Sequence, residues 1–288
     1  MILAEYYLRV FSDNDHQGND VRVALLSQPP LLSQWQNLAD RSRNLDSQGN
    51  PQTICFIVSS TSHNEQKTKS PLECRWYQGG REVQLCGSGI LAAAYVLEKH
   101  LNIALPHSLK HHHRTIPIER YDEDKGVEHH SFALPRFQLN EEAIPATANQ
   151  WFQHHPVQCM SCGDEQGYWI IEFSTPITEL IPDLKAICAT TQRAIIATSA
   201  LAPEGYDYSL RYFAPQYGID EDVVTGSANA VLASYWYQQR KPQTTDHTLP
   251  TAFRALQHQG TNSNRGGSIT LRVNESQVWV AGRVTELE

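Results

Sequence analysis

An internal echo limits most severely what this chain can fold into. In the first half, Arg75-Trp76-Tyr77 precedes Cys86-Gly87-Ser88-Gly89, and Ile90-Leu91-Ala92-Ala93-Ala94 follows at once. In the second half, Arg211-Tyr212-Phe213 precedes Thr225-Gly226-Ser227-Ala228, followed by Asn229-Ala230-Val231-Leu232-Ala233. Each copy reads as strand, loop, small-residue turn and apolar helix. Two such units in one chain imply two homologous lobes facing each other. They are assigned to residues 1–116 and 117–277, with a last strand, about 278–288, returning to the first lobe.

The hydrophobic pattern predicts strands over residues 5–11 and 21–26, a helix over 32–43 and a buried strand over 53–58, which is β-branched and apolar throughout. Short strands are expected at 75–77 and 83–85 around Gly79-Gly80, then a helix over 90–100 that is apolar nearly all round. Residues 105–130 are rich in His, charge and Pro without a sustained period, and read as the connection between lobes with some strand character at its start. Strands at 168–173, 193–198 and 208–213, a helix over 227–239, and strands at 268–273 and 277–284 complete the second lobe.

The first turn of a helix leaves N–H groups without intrahelical partners, and the macrodipole adds partial positive charge there. The glycines of Cys86-Gly87-Ser88-Gly89 and Thr225-Gly226-Ser227-Ala228 let an anion approach the backbone, so both turns are candidate carboxylate-binding elements. Opposed, they would hold a small carboxylate while a titratable group moves a proton alpha to it, the layout that racemisation, epimerisation or double-bond migration requires. Cys86 stands where the dipole lowers a thiol pKa, or else fills space before a buried helix. Thr225 reads as a helix cap or a donor to ligand, and Glu221-Asp222 as an acidic pair near that helix start.

A net charge of −8 without a dense Lys/Arg run argues against nucleic acid and anionic membranes as partners. No stretch is long and apolar enough for a membrane span, and the first residues read as a strand rather than a signal peptide. The six irregularly spaced cysteines point to reduced thiols and a cytoplasmic location. Cys159-Met160-Ser161-Cys162 lacks the second ligand pair of a zinc site and reads as loop thiols. His111-His112-His113 and His129-His130 read as solvated loop residues, open to an adventitious metal in a crystal or on a column. No metal, nicotinamide or nucleotide site is expected, because the chain has no calcium loop, dinucleotide fingerprint or phosphate-loop Lys.

Arg211-Tyr212-Phe213-Ala214-Pro215, Gly218-Ile219-Asp220-Glu221-Asp222 and Thr225-Gly226-Ser227-Ala228 together resemble the phenazine-biosynthesis PhzF-like family, a branch of the diaminopimelate epimerase-fold superfamily. Weaker matches run in order along the chain: Gly18-Asn19, Leu85-Cys86-Gly87, Gln259-Gly260, Arg265-Gly266 and Gly282. The resemblance implies an α+β fold of two pseudo-symmetric lobes, each a mixed β-sheet or barrel around a central helix. It also implies a homodimer and cofactor-free isomerase or epimerase chemistry on a small carboxylate between the lobes. On this reading Asp222 and Cys86 are the catalytic candidates. Asn19, Gln52, Thr53, Gly87, Ser88, Gly89, Thr225, Gly226 and Ser227 are the substrate-binding candidates. The family's acid/base Glu falls on Thr53 or Gln52, and its Gly-His-Ala-Thr turn has become Gly87-Ser88-Gly89-Ile90. Of the family's three proton-handling residues only Asp222 carries over, so a catalytically silent binding protein on the same fold stands as the alternative.

Overall fold

The computed structural model describes residues 2–44, 53–58, 70–122, 128–240 and 251–287. The chain divides into two compact units, the first made of residues 1–12, 19–134 and 281–288, the second of residues 13–18 and 135–280.

The first unit opens with β1 (Ile2–Val10) antiparallel to β2 (Asn19–Leu26). Helix α1 (Leu32–Asp40) crosses over to β3 (Thr53–Val58), which lies parallel to β2. Strand β4 (Leu72–Gln78) runs antiparallel to β3 and turns tightly into β5 (Arg81–Glu82). Helix α2 (Gly87–Lys99) is the second crossover, leading to β6 (His107–His111) parallel to β4. Two further antiparallel strands follow, β7 (Arg114–Asp122) and β8 (Glu128–Pro135).

The second unit repeats this grammar. After β9 (Asn140–Glu141) and the short α3 (Ala148–Trp151), β10 (Gln158–Cys162) pairs antiparallel with β11 (Tyr168–Glu172). Helix α4 (Leu184–Thr190) crosses to β12 (Ala194–Ser199), parallel to β11. Strand β13 (Tyr208–Ala214) is antiparallel to β12 and turns into β14 (Ile219–Asp222). Helix α5 (Gly226–Arg240) crosses to β15 (Thr251–Gln259), parallel to β13, and β16 (Asn262–Val273) returns antiparallel. Strand β17 (Gln277–Glu286) begins in the second unit and ends in the first, where it pairs with β1. Parallel neighbours cannot be joined by a hairpin, so each repeat needs two crossovers, and the sequence supplies a helix for each. Residues 1–134 and 135–273 therefore run the same order of antiparallel, parallel, antiparallel and parallel pairings.

The second crossover of each unit is its core. Ten of the thirteen residues of α2 are buried, Gly87 through Ala94 without interruption, and the helix packs against β1, β2, β3 and β7. Burying Ile90, Leu91, Val96 and Leu97 is worth about 1.5–3 kcal/mol each, as upper values. Helix α5 is buried from Ala228 to Tyr237 and packs on β15 and β16.

Five expectations are corrected. The first unit extends to residue 134 rather than 116, because β7 and β8 continue its sheet from β6. Within this segment residues 107–111, 114–122 and 128–130 are strands, whose period is masked by Pro117 in the ladder and by polar residues that the sheet partly buries. Residues 83–85 form no strand, and only the Val83 N–H reaches back, to the Trp76 carbonyl at 2.9 Å. Cys159 and Cys162 lie buried in β10 rather than in a loop, and among the paired histidines His111 and His130 are buried in strands. Among the described residues no helix is long and apolar enough to cross a membrane.

One close approach pins the two ends of the first unit together. Phe11, fully buried, has a left-handed backbone (φ 65°), and its N–H donates to the Arg283 carbonyl at 2.9 Å. A Cβ on the neighbouring Gly282 would meet the Phe11 ring at 2.4 Å. Gly282→Ala is therefore expected to destabilise the protein by about 1–3 kcal/mol, read as a lower urea midpoint; an unchanged midpoint would show that the ring yields freely.

Candidate functional site

In the second unit the site grows from a buried ion pair. Arg211 on β13 points into the core, where its guanidinium binds both carboxylate oxygens of Glu221 on β14 (2.6 and 2.9 Å) and the Leu180 carbonyl (2.6 Å). Glu221 also accepts from the Gly260 N–H at 2.8 Å, and its own carbonyl accepts from Gln259 at 2.7 Å. Successive strand residues face opposite ways. With Glu221 consumed by this network, Asp222 is turned to the other side.

Asp222 is half-buried. Thr225 Oγ1 donates to its Oδ2 at 2.5 Å, and the Val223 N–H donates to its Oδ1 at 3.0 Å. Burial pushes its carboxyl up from 3.8 to about 6 despite those two donors, and the adjacent Glu221 charge adds to the rise. Opposite it in the ladder stands Tyr212, whose hydroxyl burial drives well above its ordinary value.

Gln257 clamps the start of α5. Its Oε1 accepts from the Thr225 N–H (2.8 Å) and from Asn229 Nδ2 (2.9 Å), and its Nε2 donates to the Asp222 carbonyl (3.1 Å) and to Thr225 Oγ1 (3.3 Å). The backbone N–H groups of Gly226, Ser227 and Ala228 open the helix and have no partner among the described residues. Ser227 Oγ accepts from the Tyr168 hydroxyl at 3.4 Å. Asp222, Thr225, Gly226 and Ser227 are thus brought together: an acid whose carboxyl burial pushes up to about 6, held beside a helix N-terminus. The surface grooves of this unit beside Trp151 hold none of these residues.

In the first unit the corresponding helix end is closed differently. Cys86 is the N-cap of α2, its Sγ accepting from the Gly89 N–H at 3.4 Å and lying 3.5 Å from Ser88 Oγ. Gly87, Ser88 and Gly89 are buried. A Cβ on Gly89 would come within 2.5 Å of the Trp76 indole, so this turn admits no side chain there. Cys55 and Cys74 are buried beside Cys86, and burial raises both thiols far above their ordinary value. Thr53 is buried at the start of β3 beside Val21, two residues along β2 from Asn19. Gln52 lies outside the described residues.

Sequence reasoning passed over Gln257, Asn229, Tyr168 and the Arg211–Glu221 pair. The signal for Gln257 was present: it continues the inward alternation of Phe253 and Ala255 on β15, a polar side chain in phase with apolar ones.

A family model described as phenazine biosynthesis-like protein (PhzC-PhzF) matches residues 8–287. An uncharacterized isomerase of Halalkalibacterium halodurans is 24% identical over 264 residues, which span 85% of this chain and 93% of that protein. A phenazine biosynthesis-like domain-containing protein of Bos taurus is 27% identical over 296 residues, 94% of this chain and 92% of its own. Among solved structures, a PhzF-family protein of Enterococcus faecalis superposes with a TM-score of 0.77 at 21% identity, over 100% of this chain and 98% of that one. A hydroxyproline epimerase of Agrobacterium vitis superposes with a TM-score of 0.56 at 11% identity, over 99% and 90%. These likenesses identify the diaminopimelate epimerase-like fold.

The Asp222 environment has a sign that stability measurements can read. A carboxyl raised from 3.8 to about 6 on folding costs nothing below pH 4, costs progressively more between pH 4 and 6, and costs up to about 3 kcal/mol above that. Asp222→Asn is therefore expected to raise the melting temperature at pH 8 and to leave it unchanged at pH 3.5. A gain of equal size at both values would exclude ionisation as its cause.

Proposed function

We propose, from the premise that this chain belongs to the phenazine biosynthesis-like family, that it is a cofactor-free isomerase acting on a small carboxylate-bearing substrate. The observation that carries this reading is the Asp222 carboxylate, held by Thr225 Oγ1 and the Val223 N–H just ahead of α5, with burial pushing its carboxyl up to about 6. A general base works best when its pKa lies near the working pH, and burial rather than a charged partner puts Asp222 there. The relatives named as isomerases support the same class of reaction.

In this mechanism the substrate carboxylate lies on the N–H groups of Gly226, Ser227 and Ala228, with the Ser227 hydroxyl beside it. The Asp222 carboxylate takes a proton alpha to the substrate carboxylate. The C–H bond breaks, its electron pair enters the conjugated enediolate, and the helix-end N–H groups stabilise the added charge. Protonated Asp222 then returns the proton at another carbon. Thr225 Oγ1 and the Val223 N–H hold the carboxylate in one orientation through both steps. Because the Cys86 thiol is occupied in capping α2, a single base moving a proton along one face of the substrate fits better than two bases on opposite faces. A two-base epimerisation would need Cys86 as the second proton handler. Its six free cysteines accord with a cytoplasmic protein, and a homodimer is part of the same proposal.

Thr53 or Gln52, and Ser88, which the resemblance puts where the family has its Glu and His, favour a second reading, a carboxylate-binding protein without turnover. Proton NMR of the protein with panels of β,γ-unsaturated and α-substituted carboxylic acids in D₂O separates the two. Wild-type protein is expected to exchange or shift an alpha proton, with a rate that rises through about pH 6 as Asp222 loses its proton. Asp222→Asn is expected to lower that rate by about 10²-fold or more, and Cys86→Ser to leave it within about tenfold. Ligands that bind with no exchange at any pH would establish the silent protein. Abolition by Cys86→Ser would establish the two-base reaction.

A further inference from the structure

The histidine run at the end of β6 is not the solvated loop that its composition suggests. His111 is buried, its ring held against Trp76 with centroids 4.5 Å apart. His112 follows directly and has a left-handed backbone (φ 52°). Adjacent residues of an extended strand point to opposite faces. The left-handed turn brings the His112 imidazole back to the side of His111, and both Nε2 atoms converge on one carboxylate oxygen. His111 Nε2 lies 3.2 Å and His112 Nε2 2.8 Å from Glu82 Oε1, and all three atoms fall within 4.8 Å of one another.

Hydrogen bonds crowd this group. The Arg75 guanidinium donates to Glu82 Oε1 at 2.9 Å, and the same nitrogen lies 2.8 Å from His112 Nε2. If His112 Nε2 carries a proton, it can donate to Glu82 but then faces an N–H of Arg75. If it carries a lone pair, it accepts from Arg75 but turns that lone pair on the carboxylate. In either form one edge of the triangle sets two donors or two acceptors side by side. A divalent cation removes the conflict by taking one lone pair from each of the three side chains. Ligands at about 2.0–2.1 Å from a tetrahedral ion stand about 3.3 Å apart; the His111–Glu82 separation of 3.2 Å matches this, and His112, 2.8 Å from Glu82, must draw back a few tenths of an ångström.

We propose that Glu82, His111 and His112 form a binding site for a divalent transition-metal ion of the zinc class, with the Arg75 guanidinium as the resident cation that the ion displaces. Two imidazoles and a carboxylate select borderline ions such as Zn²⁺, Co²⁺ and Ni²⁺ over Mg²⁺ or Ca²⁺. Three protein ligands leave a coordination position open to water or a small anion. Arg75 has a second anchor to move to, since Glu73 lies 3.5 Å from its other terminal nitrogen. The site is independent of Asp222 and of the isomerase reading.

The test uses tag-free full-length protein, stripped with chelator and titrated with Co²⁺ and Zn²⁺ at pH 7.5. One equivalent of Co²⁺ is expected to bind with visible d–d absorption, to quench tryptophan fluorescence through the contact of Trp76 with His111, and to be displaced by Zn²⁺. His112 is exposed, so His112→Ala is expected to keep the fold by circular dichroism and to weaken binding by about tenfold or more. Arg75→Gln is expected to tighten binding, a result that chance capture by surface histidines would not give, and His113→Ala to change nothing. The proposal is overturned by an absence of saturable binding, by binding indifferent to His112→Ala, by equal dependence on His113, or by a thiolate-to-cobalt charge-transfer band that assigns the ion to cysteines.

Discussion

A helix buried on almost every side must begin somewhere that water does not reach freely, and its first N–H groups still require acceptors. That constraint organises both units. Helix α2 meets it with a thiol, Cys86 Sγ receiving the Gly89 N–H, in a turn so tight that Trp76 lies where a Gly89 side chain would be. Helix α5 meets it only in part, with the amide of Gln257, which serves the Thr225 N–H, while the next three N–H groups have no partner among the described residues. The polar residues of the candidate site follow from the need to start a core helix inside a sheet.

The two units share a topology and have divided their chemistry. Both run the same order of pairings, with crossover helices at corresponding places. In the second unit the buried Arg211–Glu221 pair fixes the strand that carries Asp222, and so sets which carboxylate of the pair is available. Removing either partner of such a pair would strand a buried charge. In the first unit the equivalent strand carries Arg75, whose carboxylate partner Glu82 is shared with two imidazoles. A homologous Arg–Glu contact has become structural cement in one unit and a crowded polar cluster in the other.

How much of this could be read beforehand depended on whether a feature is local. The buried strand at residues 53–58 has the bounds its apolar run suggests, and α5 begins within one residue of its expected start, because periodicity and a glycine turn are written in consecutive residues. The pairing of Asp222 with a helix start was legible for the same reason. Strand β6 showed only as some strand character at the start of the connection, and β7 did not show, since their burial comes from β4 and β8 rather than from their own composition. The role of Gln257, 32 residues from Thr225, depends on a parallel pairing that no short window contains. His111 was misread because a run of histidines looks solvated until a left-handed turn and a tryptophan are placed around it.

Strand β17 closes the first unit from the far end of the described chain. Leu8, Arg9 and Val10 pair with Glu286, Thr285 and Val284, while residues 135–280 build the other unit in between. During synthesis, β1 therefore has one edge without its native partner until the entire second unit has emerged from the ribosome. Vectorial folding would complete the unit of later sequence first, and the unit that starts the chain would finish last. The long loop closure this requires belongs to the slow end of folding rates. An exposed edge strand held waiting is also where a nascent chain is most open to pairing with another copy.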